Sequence, residues 1–439
     1  MSDVGVPTRI VRKPDNHTDR LSADICVVGS GAAGISAALE AAGAGKQVVL
    51  VEAAANLGGQ AVNSIIGTFC GLYSNGPEIF QLTYGVADDI LGDLRAAGEA
   101  RDLPARNSII VQYDETALGR WVDRTVQAAG INVLLGAVLR NVKLEGRRIS
   151  ELEIATKFGD VRVEADGFVD ASGDATVAWH AGLAVREPET PIYGTQMVLF
   201  ENFDDDAARQ IDRWDMQQKL AERADDYGLI RKDGFVFAFP GHGTALANMT
   251  HVETPMNISG HARTVFDGRD QADRLLTFLK SEYPDAYGAA RVRVYPAPGI
   301  RQTRWITGSS SLTADDVRAG RIFDDAIARC SWPIELHHEA DGAYWEELGD
   351  GHIHTVPLGC LLHRDADNLA AAGRCIDGDT VGLSSVRVMG PCFAMGAAAA
   401  HALSLAGSGS VHQIDVSALQ VKIGDNLNRS DPYSAEQKR

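Results

Sequence analysis

Apolar positions along the chain change their period in a set order. A short apolar run at 25–28 meets the glycine-rich turn GSGAAG at 29–34. Small residues then continue at helical spacing until Gly43 and Gly45 stop them. A second apolar run at 48–51 ends in Glu52. Helical patterns follow over about 77–97 and again behind Asp114. In the second, Leu118, Trp121, Val122, Thr125, Val126 and Ala129 share one face and Gly130 ends it. Residues 131–142, 148–156 and 160–169 read as successive strands. From about 186 the pattern is mixed, with a strand at 195–200 and an acidic helical region at 204–226. Strands at 235–239 and 244–252 flank the hairpin turn Gly241-His242-Gly243. Leu275, Leu276, Phe278 and Leu279 mark a helix before Pro284. A last apolar strand at 369–372 runs into Gly373 and Arg374, and a helix begins near Ser385.

The first strand–turn–helix–strand unit has the parts of a dinucleotide-binding βαβ fold. Gly29 lets the chain turn sharply, Gly31 leaves backbone open to a pyrophosphate, and Gly34 lets helix and strand pack closely. Unpaired N–H groups at the helix start favour the phosphates. Glu52, 23 residues beyond Gly29, is placed to accept hydrogen bonds from a ribose diol. No second unit of this kind occurs in the chain, so a built-in NAD(P)H domain is not expected.

The totals narrow the class. A chain of 439 residues with 45% hydrophobic and 23% charged content is ordinary globular material, long enough for two cores. Its 41 basic against 59 acidic residues give a net charge of −18, which argues against nucleic-acid or anionic-membrane partners. A local basic pocket remains open. The six cysteines are far apart with no CxxC pair, as buried thiols in a reducing compartment would be. The polar first residues carry no apolar signal region, and no run approaches 18 apolar residues. A soluble, cytoplasmic protein is expected. Residues 1–20 read as an arm lying on the surface or on a partner subunit, which leaves a homo-oligomer open.

Beyond Glu52 the tail NLGGQ at 56–60 resembles the glutathione-reductase-type FAD-binding fold. The segment VDASGD at 169–174 is similar to the one that completes the cofactor domain in such flavoproteins. Two further blocks join these: PGIRQTRWI at 298–306 with LTADDV at 312–317, and NLAAAGRCI at 368–376 with SVRVMGPC at 385–392. Together they resemble the bacterial FAD-dependent oxidoreductase family, itself distantly similar to fumarate reductase and succinate dehydrogenase flavoproteins. The resemblance implies an α/β fold with a discontinuous FAD-binding Rossmann domain, 21–185 and 350–439, and an inserted α+β substrate or cap domain, 186–349. It implies FAD contacts from Gly29, Ser30, Gly31, Ala32, Ala33, Gly34, Glu52, Ala53, Gly58, Gly59, Gln60 and Val138. Ala171, Ser172, Gly173, Asp174, Gly373, Arg374, Val386, Arg387 and Val388 complete that set. The glycine-rich loop at 66–76 is a candidate flavin-facing segment. No histidine stands beside Gly58-Gly59-Gln60, so noncovalent FAD is expected. Two departures from the family pattern are Gly396 followed by four alanines and His354 in place of a tyrosine, the second a change that would retune the substrate pocket.

A flavin can exchange a hydride with an adjacent carbon, which leaves the protein to hold substrate and move a proton. Arginine suits the first task because it stays charged and offers a flat bidentate fork. Arg301, Arg304, Arg374 and Arg387 all stand in the signature blocks. Arg301 and Arg304 would both face the flavin only if the chain bends behind Pro298 and Gly299; otherwise one braces a domain contact. Arg387 is expected to open the last helix. For proton transfer His354 and His352 come first, His337 and His338 after them. His180 reads as a core or surface histidine, and Cys375 and Cys392 as buried small residues. No metal site is expected. The expected activity is hydride transfer between FAD and a small organic substrate, with a carboxylate as one recognisable handle. Rival readings are a C=C reductase fed by an external donor and an electron-transfer subunit of a larger complex. The electron acceptor or donor is not legible.

Overall fold

The structure, a computed structural model, describes residues 8–11 and 18–433. Its main sheet has seven strands: β1 (Thr18–Val28), β2 (Val48–Glu52), β3 (Asn132–Leu135), β4 (Val138–Glu145), β5 (Arg148–Thr156), β6 (Gly159–Asp170) and β7 (Leu369–Ala371). The order is β3-β2-β1-β6-β5-β4, and β7 also pairs with β6. β1 lies parallel to both neighbours, with Val28 level with Val51 on one side and Asp170 on the other. β3 runs parallel to β2, and β7 parallel to the end of β6. The pairs β4·β5 and β5·β6 are antiparallel.

One edge of β6 serves two partners in turn. Its first half pairs with β5 and its last three residues with β7. Asn368 sits at the junction, almost fully buried. Its Nδ2 donates to the carbonyls of Ile149 (2.9 Å) and Asp166 (3.1 Å), and its Oδ1 accepts from Ile149 N–H (2.9 Å). The side-chain amide thus supplies the rungs that the ladder lacks where partners change.

Helix α1 (Ala32–Gly43) follows β1, and α2 (Met389–Ala406) packs along it. A Cβ on Gly396 would stand 2.1 Å from the carbonyl of Ala33, so the glycine and the alanines after it set the contact distance. Ser36 Oγ donates across the seam to Phe393 O (2.7 Å). α2 is long and apolar enough to cross a membrane, yet 78% of it is buried inside the protein. Its composition is that of a core helix.

A four-stranded antiparallel sheet, in the order Phe235–Phe239, Thr244–Asn248, Val198–Glu201, Arg291–Val294, is a separate element. The long helix Ile258–Glu282 packs on it, burying Val198, Phe200, Leu275, Phe278 and Leu279 together.

Several expected boundaries shift, each for a local reason. The run 131–142 is two strands, because Gly136 adopts φ +60° and breaks the extended run before Val138. The helix expected at 77–97 is Val86–Ala97, opened by Gly85 at φ +74°. The acidic region 204–226 breaks into Asp205–Arg209, Arg213–Arg223 and a short 3-10 turn, since Asp204 and Asp212 each cap a new start. The strands near 195–200 and 244–252 are Val198–Glu201 and Thr244–Asn248. Residues 18–20 of the expected arm pair with 160–162 of β6 and belong to β1. Residues 8–11 are exposed, and the rest of the arm lies outside the described residues.

Asn368→Ala leaves the buried N–H and C=O of Ile149 unpaired, and the expected loss is about 2–4 kcal/mol. Urea unfolding of the variant against wild type measures it.

Candidate functional site

The chain leaves β1 at Gly29 with φ +98°, squeezed against the end of β6. A Cβ there would lie 2.3 Å from the carbonyl oxygen of Ala171, and one on Gly34 would lie 1.9 Å from that of Gly29. Neither position accepts a side chain. Gly31 is the opposite case: a Cβ on it would meet nothing within 4 Å, because it faces the open cleft above the sheet. Glu52 ends β2 beside this turn. Its Oε2 accepts from Ser30 N–H (2.9 Å) and Ser30 Oγ–H (2.6 Å), and its Oε1 from Ala54 N–H (2.7 Å). The carboxylate is therefore fixed at the cleft wall with one acceptor site, on Oε1, to spare.

The cleft holds about 630 Å³ and draws its walls from segments far apart in sequence. Gly29, Ser30, Gly31, Ala32, Ala33, Glu52, Ala53, Gly59, Gln60 and Val138 line it, as do Ala171, Ser172, Gly173 and Asp174. Gly373, Arg374, Arg387 and Val388 close it from the C-terminal part of the chain. Gly34, Gly58 and Val386 stand behind the wall. Gly58 N–H bonds Ser30 O (3.1 Å) and shapes the turn, while Val386 is fully buried. Thr68 and Cys70 of the glycine-rich loop do line the cleft. Met389 of the SVRVMGPC block lines it too, as do Thr195, Asn248 and Glu335, which carried no motif signal.

The basic residues divide. Arg301 lines the cleft and its Nη1 donates to Tyr193 O (2.7 Å). Burial, with Arg231 and Arg387 nearby, holds its guanidinium well below the ordinary range. Arg387 does not open α2. It closes the preceding helix Thr380–Val386, and Val388 is the N-cap of α2. Arg387 Nη2 donates to Glu335 O (2.7 Å) while its Nε is buried without a partner. Burial draws Arg387 down to about 10 against the pull of Glu335. Arg374 Nη1 reaches Arg301 O at 3.5 Å. Arg304 points elsewhere, its guanidinium 4.5 Å from the Trp179 ring centroid and its Nε 4.0 Å from Glu187. No bend brings it to the cleft beside Arg301.

The leading histidines are also elsewhere. His354 is completely buried, with Nε2 3.1 Å from Ser385 Oγ and Nδ1 3.2 Å from His352 Nε2. Neither histidine lines the cleft; the described contacts of both are hydrogen bonds and packing. Burial pulls His354 down to about 3 and lowers His352 as well. His180, expected in the core or on the surface, is on the cleft wall, with burial and then Arg304 lowering it. Cys375 is buried and its Sγ lies 3.1 Å from Gly173 N–H; Cys392 lines the cleft, its thiol pushed up to about 12 by burial. Away from the cleft, Glu99, Asp114 and His242 bring ligand-type atoms within 4.8 Å of one another at the hairpin turn. His242 Nδ1 lies 3.1 Å from Asp114 Oδ2, within hydrogen-bond distance, and its Nε2 3.4 Å from Glu99 Oε2.

The profile of the FAD dependent oxidoreductase family matches residues 24–423. The chain belongs to that family. FAD is the cofactor of this oxidoreductase, and the cleft fits an adenine dinucleotide. Gly31 leaves the phosphate approach clear, Glu52 stands where a ribose would lie, and α1 presents its N-terminus between them. Solved structures similar to it include a geranylgeranyl bacteriochlorophyll reductase-like protein from Thermoplasma acidophilum. That likeness has 15% identity and TM-score 0.49 and covers 94% of this chain and 85% of the other. The flavin-dependent brominase Bmp2 is similar at 14% identity and TM-score 0.46, over 92% and 83%. An anhydrotetracycline hydroxylase from Streptomyces rimosus follows at 11% and 0.42, over 93% and 66%. No curated protein matches the chain.

Two glycine variants of the oxidoreductase separate binding from folding. Gly31→Val should fold with wild-type stability and lose flavin absorbance, whereas Gly34→Ala should lose stability by several kcal/mol. Absorbance and urea unfolding on both variants decide it. The buried neutral His354 has a sign that can be checked. Below 6.5 the unfolded chain takes up a proton that the folded one refuses until about 3. Stability should therefore fall with pH across that window, by about 1.4 kcal/mol per unit from this group. His354→Gln should flatten the unfolding free energy against pH by that amount.

Proposed function

We propose that this oxidoreductase transfers a hydride between FAD and a small organic substrate bearing a carboxylate or comparable anion. The observation that carries the reading is three arginines meeting in one cleft of an acidic protein, where Glu52 and Asp174, which also line it, are already engaged by Ser30, Ala54 and Thr303. Arg301, Arg374 and Arg387 all line it, and Arg231 lies behind them. Arg231 is spoken for by Asp233 and Asn248. Arg301 and Arg387 give Nη1 and Nη2, respectively, to main-chain carbonyls, which fixes their planes without neutralising them. Burial lowers both, so an anion that restores their charge balance is favoured there.

When bound, FAD supplies hydride exchange with a carbon placed against it. The chain's own work is to orient and to exclude water. The arginine forks fix the anion, and Met389, Cys392 and Ile66 offer apolar wall around the rest. The electron acceptor or donor is taken to be external, because the chain has one dinucleotide unit. Six cysteines, all free, support action in a reducing, cytoplasmic setting.

Anaerobic mixing of the flavin-loaded protein with a panel of small carboxylates and their neutral esters tests the reading. Bleaching of the visible flavin band by acids and not by esters is the expected result; bleaching by neither sinks it. For the active acid, Arg301→Ala should keep its flavin and raise KM about ten- to hundredfold, the cost of one charged hydrogen-bonding group. Arg304→Ala should leave KM within about twofold, since it braces Trp179 and Glu187 instead.

A further inference from the structure

Behind the cleft wall lies a chain of buried polar groups that the reading above does not use. His251 Nδ1 is 2.8 Å from Ala340 O, and His251 Nε2 is 3.0 Å from His337 Nδ1. His337 Nε2 is 2.8 Å from Glu335 Oε1. Both rings are fully buried, while Glu335 lines the cleft with its side chain about one-fifth exposed. Glu335 is pinned by its neighbours: Oε2 accepts from Trp332 Nε1–H (3.0 Å) and its carbonyl from Arg387. Tyr193 N–H holds the carbonyl of His337 (2.8 Å), and the Tyr193 ring stacks on His251.

The hydrogen positions follow by elimination. A main-chain carbonyl only accepts, so His251 carries its hydrogen on Nδ1. Burial, with Arg231 and Arg301 close by, holds His251 neutral, so its Nε2 is a bare acceptor. His337 must then donate from Nδ1. A neutral His337 so arranged turns a lone pair toward a carboxylate oxygen at 2.8 Å, and two lone pairs at that distance repel. One proton therefore lies between His337 Nε2 and Glu335 Oε1.

The surroundings decide how tightly it is held. Arg301, Arg231, Arg387 and His338 all disfavour a further positive charge on His337. Asp233 faces Arg231 across an ion pair, and the Cys70 thiol, pushed up to about 12 by burial and then by Glu335, contributes no charge at neutral pH. The proton is kept by geometry against repulsion from three arginines, and its one outlet is the carboxyl in the cleft.

We propose that Glu335 is the acid–base group of this cleft, sharing a single proton with His337, and that His251 fixes the tautomer that makes sharing necessary. The inference rests on the reading of the cleft as the flavin and substrate site. In the oxidising direction the pair first gives its shared proton to solvent through the cleft; an O–H or N–H bond of the substrate then breaks and its proton joins the deprotonated pair. Two electrons leave with the substrate's C–H hydrogen to FAD. In the reducing direction the pair gives the proton back. Glu335 is the catalytic residue, and His337 and His251 are positioning residues.

The test uses the FAD-loaded chain with 15N-labelled histidine, read by long-range 1H–15N correlation between pH 5 and 9, beside the pH dependence of the flavin midpoint potential. Expected are Nδ1–H tautomers at His251 and His337, and a potential profile with an inflection that Glu335→Gln abolishes. Glutamine can still donate to His337 Nε2, so that variant keeps the fold and the tautomers. His337 protonated on Nε2 alone, or superimposable potential profiles in wild type and Glu335→Gln, overturns the inference and leaves the cleft reading intact. A folded chain that takes up no FAD overturns both.

Discussion

The site depends on how closely β1 can run beside β6. The two strands are paired along their whole shared length, and at the end of that run Gly29 meets Ala171 with no room for a Cβ. Because β1 exits there, the turn to α1 opens directly above the sheet, between the end of β2 and the end of β6. Glu52 and the segment from Ala171 to Asp174 are then brought to opposite walls of one cleft without any side chain having to reach far. Widening that contact by a methyl group would move both walls and the helix start together. This is why Gly29 and Gly34 are matters of folding, while Gly31, a short step away, is a matter of ligand access.

The same logic explains what could be read from the sequence. The βαβ unit is local: strand, glycine turn, helix, strand and acid follow in one stretch of chain, and each part signals itself by spacing. The closing segment could be read for the same reason, since Gly373, Arg374 and Val388 lie directly behind a strand or at a helix cap. Residues whose role depends on direction could not. Arg301 and Arg304 share a motif, yet one enters the cleft and the other covers Trp179, because extended chain sends side chains three apart to different sides. His354 and His352 have the spacing for one face of a strand, but the strand begins only at His354, which is core, and His352 before it is half-buried away from the cleft. Glu335 is the middle residue of the strand Ile334–Leu336, too short to show a period, and only tertiary packing brings it to the cleft.

A net charge of −18 did not forecast three arginines in one cleft, and the two are compatible for a physical reason. Most acidic residues lie outside the cleft, and dissolved salt screens the exposed ones beyond about a nanometre. Arg301 and Arg387 are desolvated, so each weighs more on a bound ion than several surface carboxylates do. An acidic exterior around clustered arginines also disfavours large polyanions while admitting small ones. The surface repels the former before they reach the arginines, whereas a small anion can enter through a cleft of about 630 Å³.

Conserving a charge pattern of this kind requires that its backbone not move, and the structure meets that demand with main-chain contacts. Arg301 is tied to Tyr193 O, Arg387 to Glu335 O, and Arg374 approaches Arg301 O. Each guanidinium is thus oriented by a carbonyl, which carries no charge to cancel it. The carbonyls come from three segments: the strand edge near 193, the stretch at 335 and the loop at 301. A shift in any of them would turn a fork away from the cleft. The histidine chain behind the wall draws on the same pieces, since Tyr193 stacks on His251 and Glu335 accepts from Arg387. Anion holding and proton holding therefore share one scaffold, and disturbing the packing of Tyr193 would be felt by both.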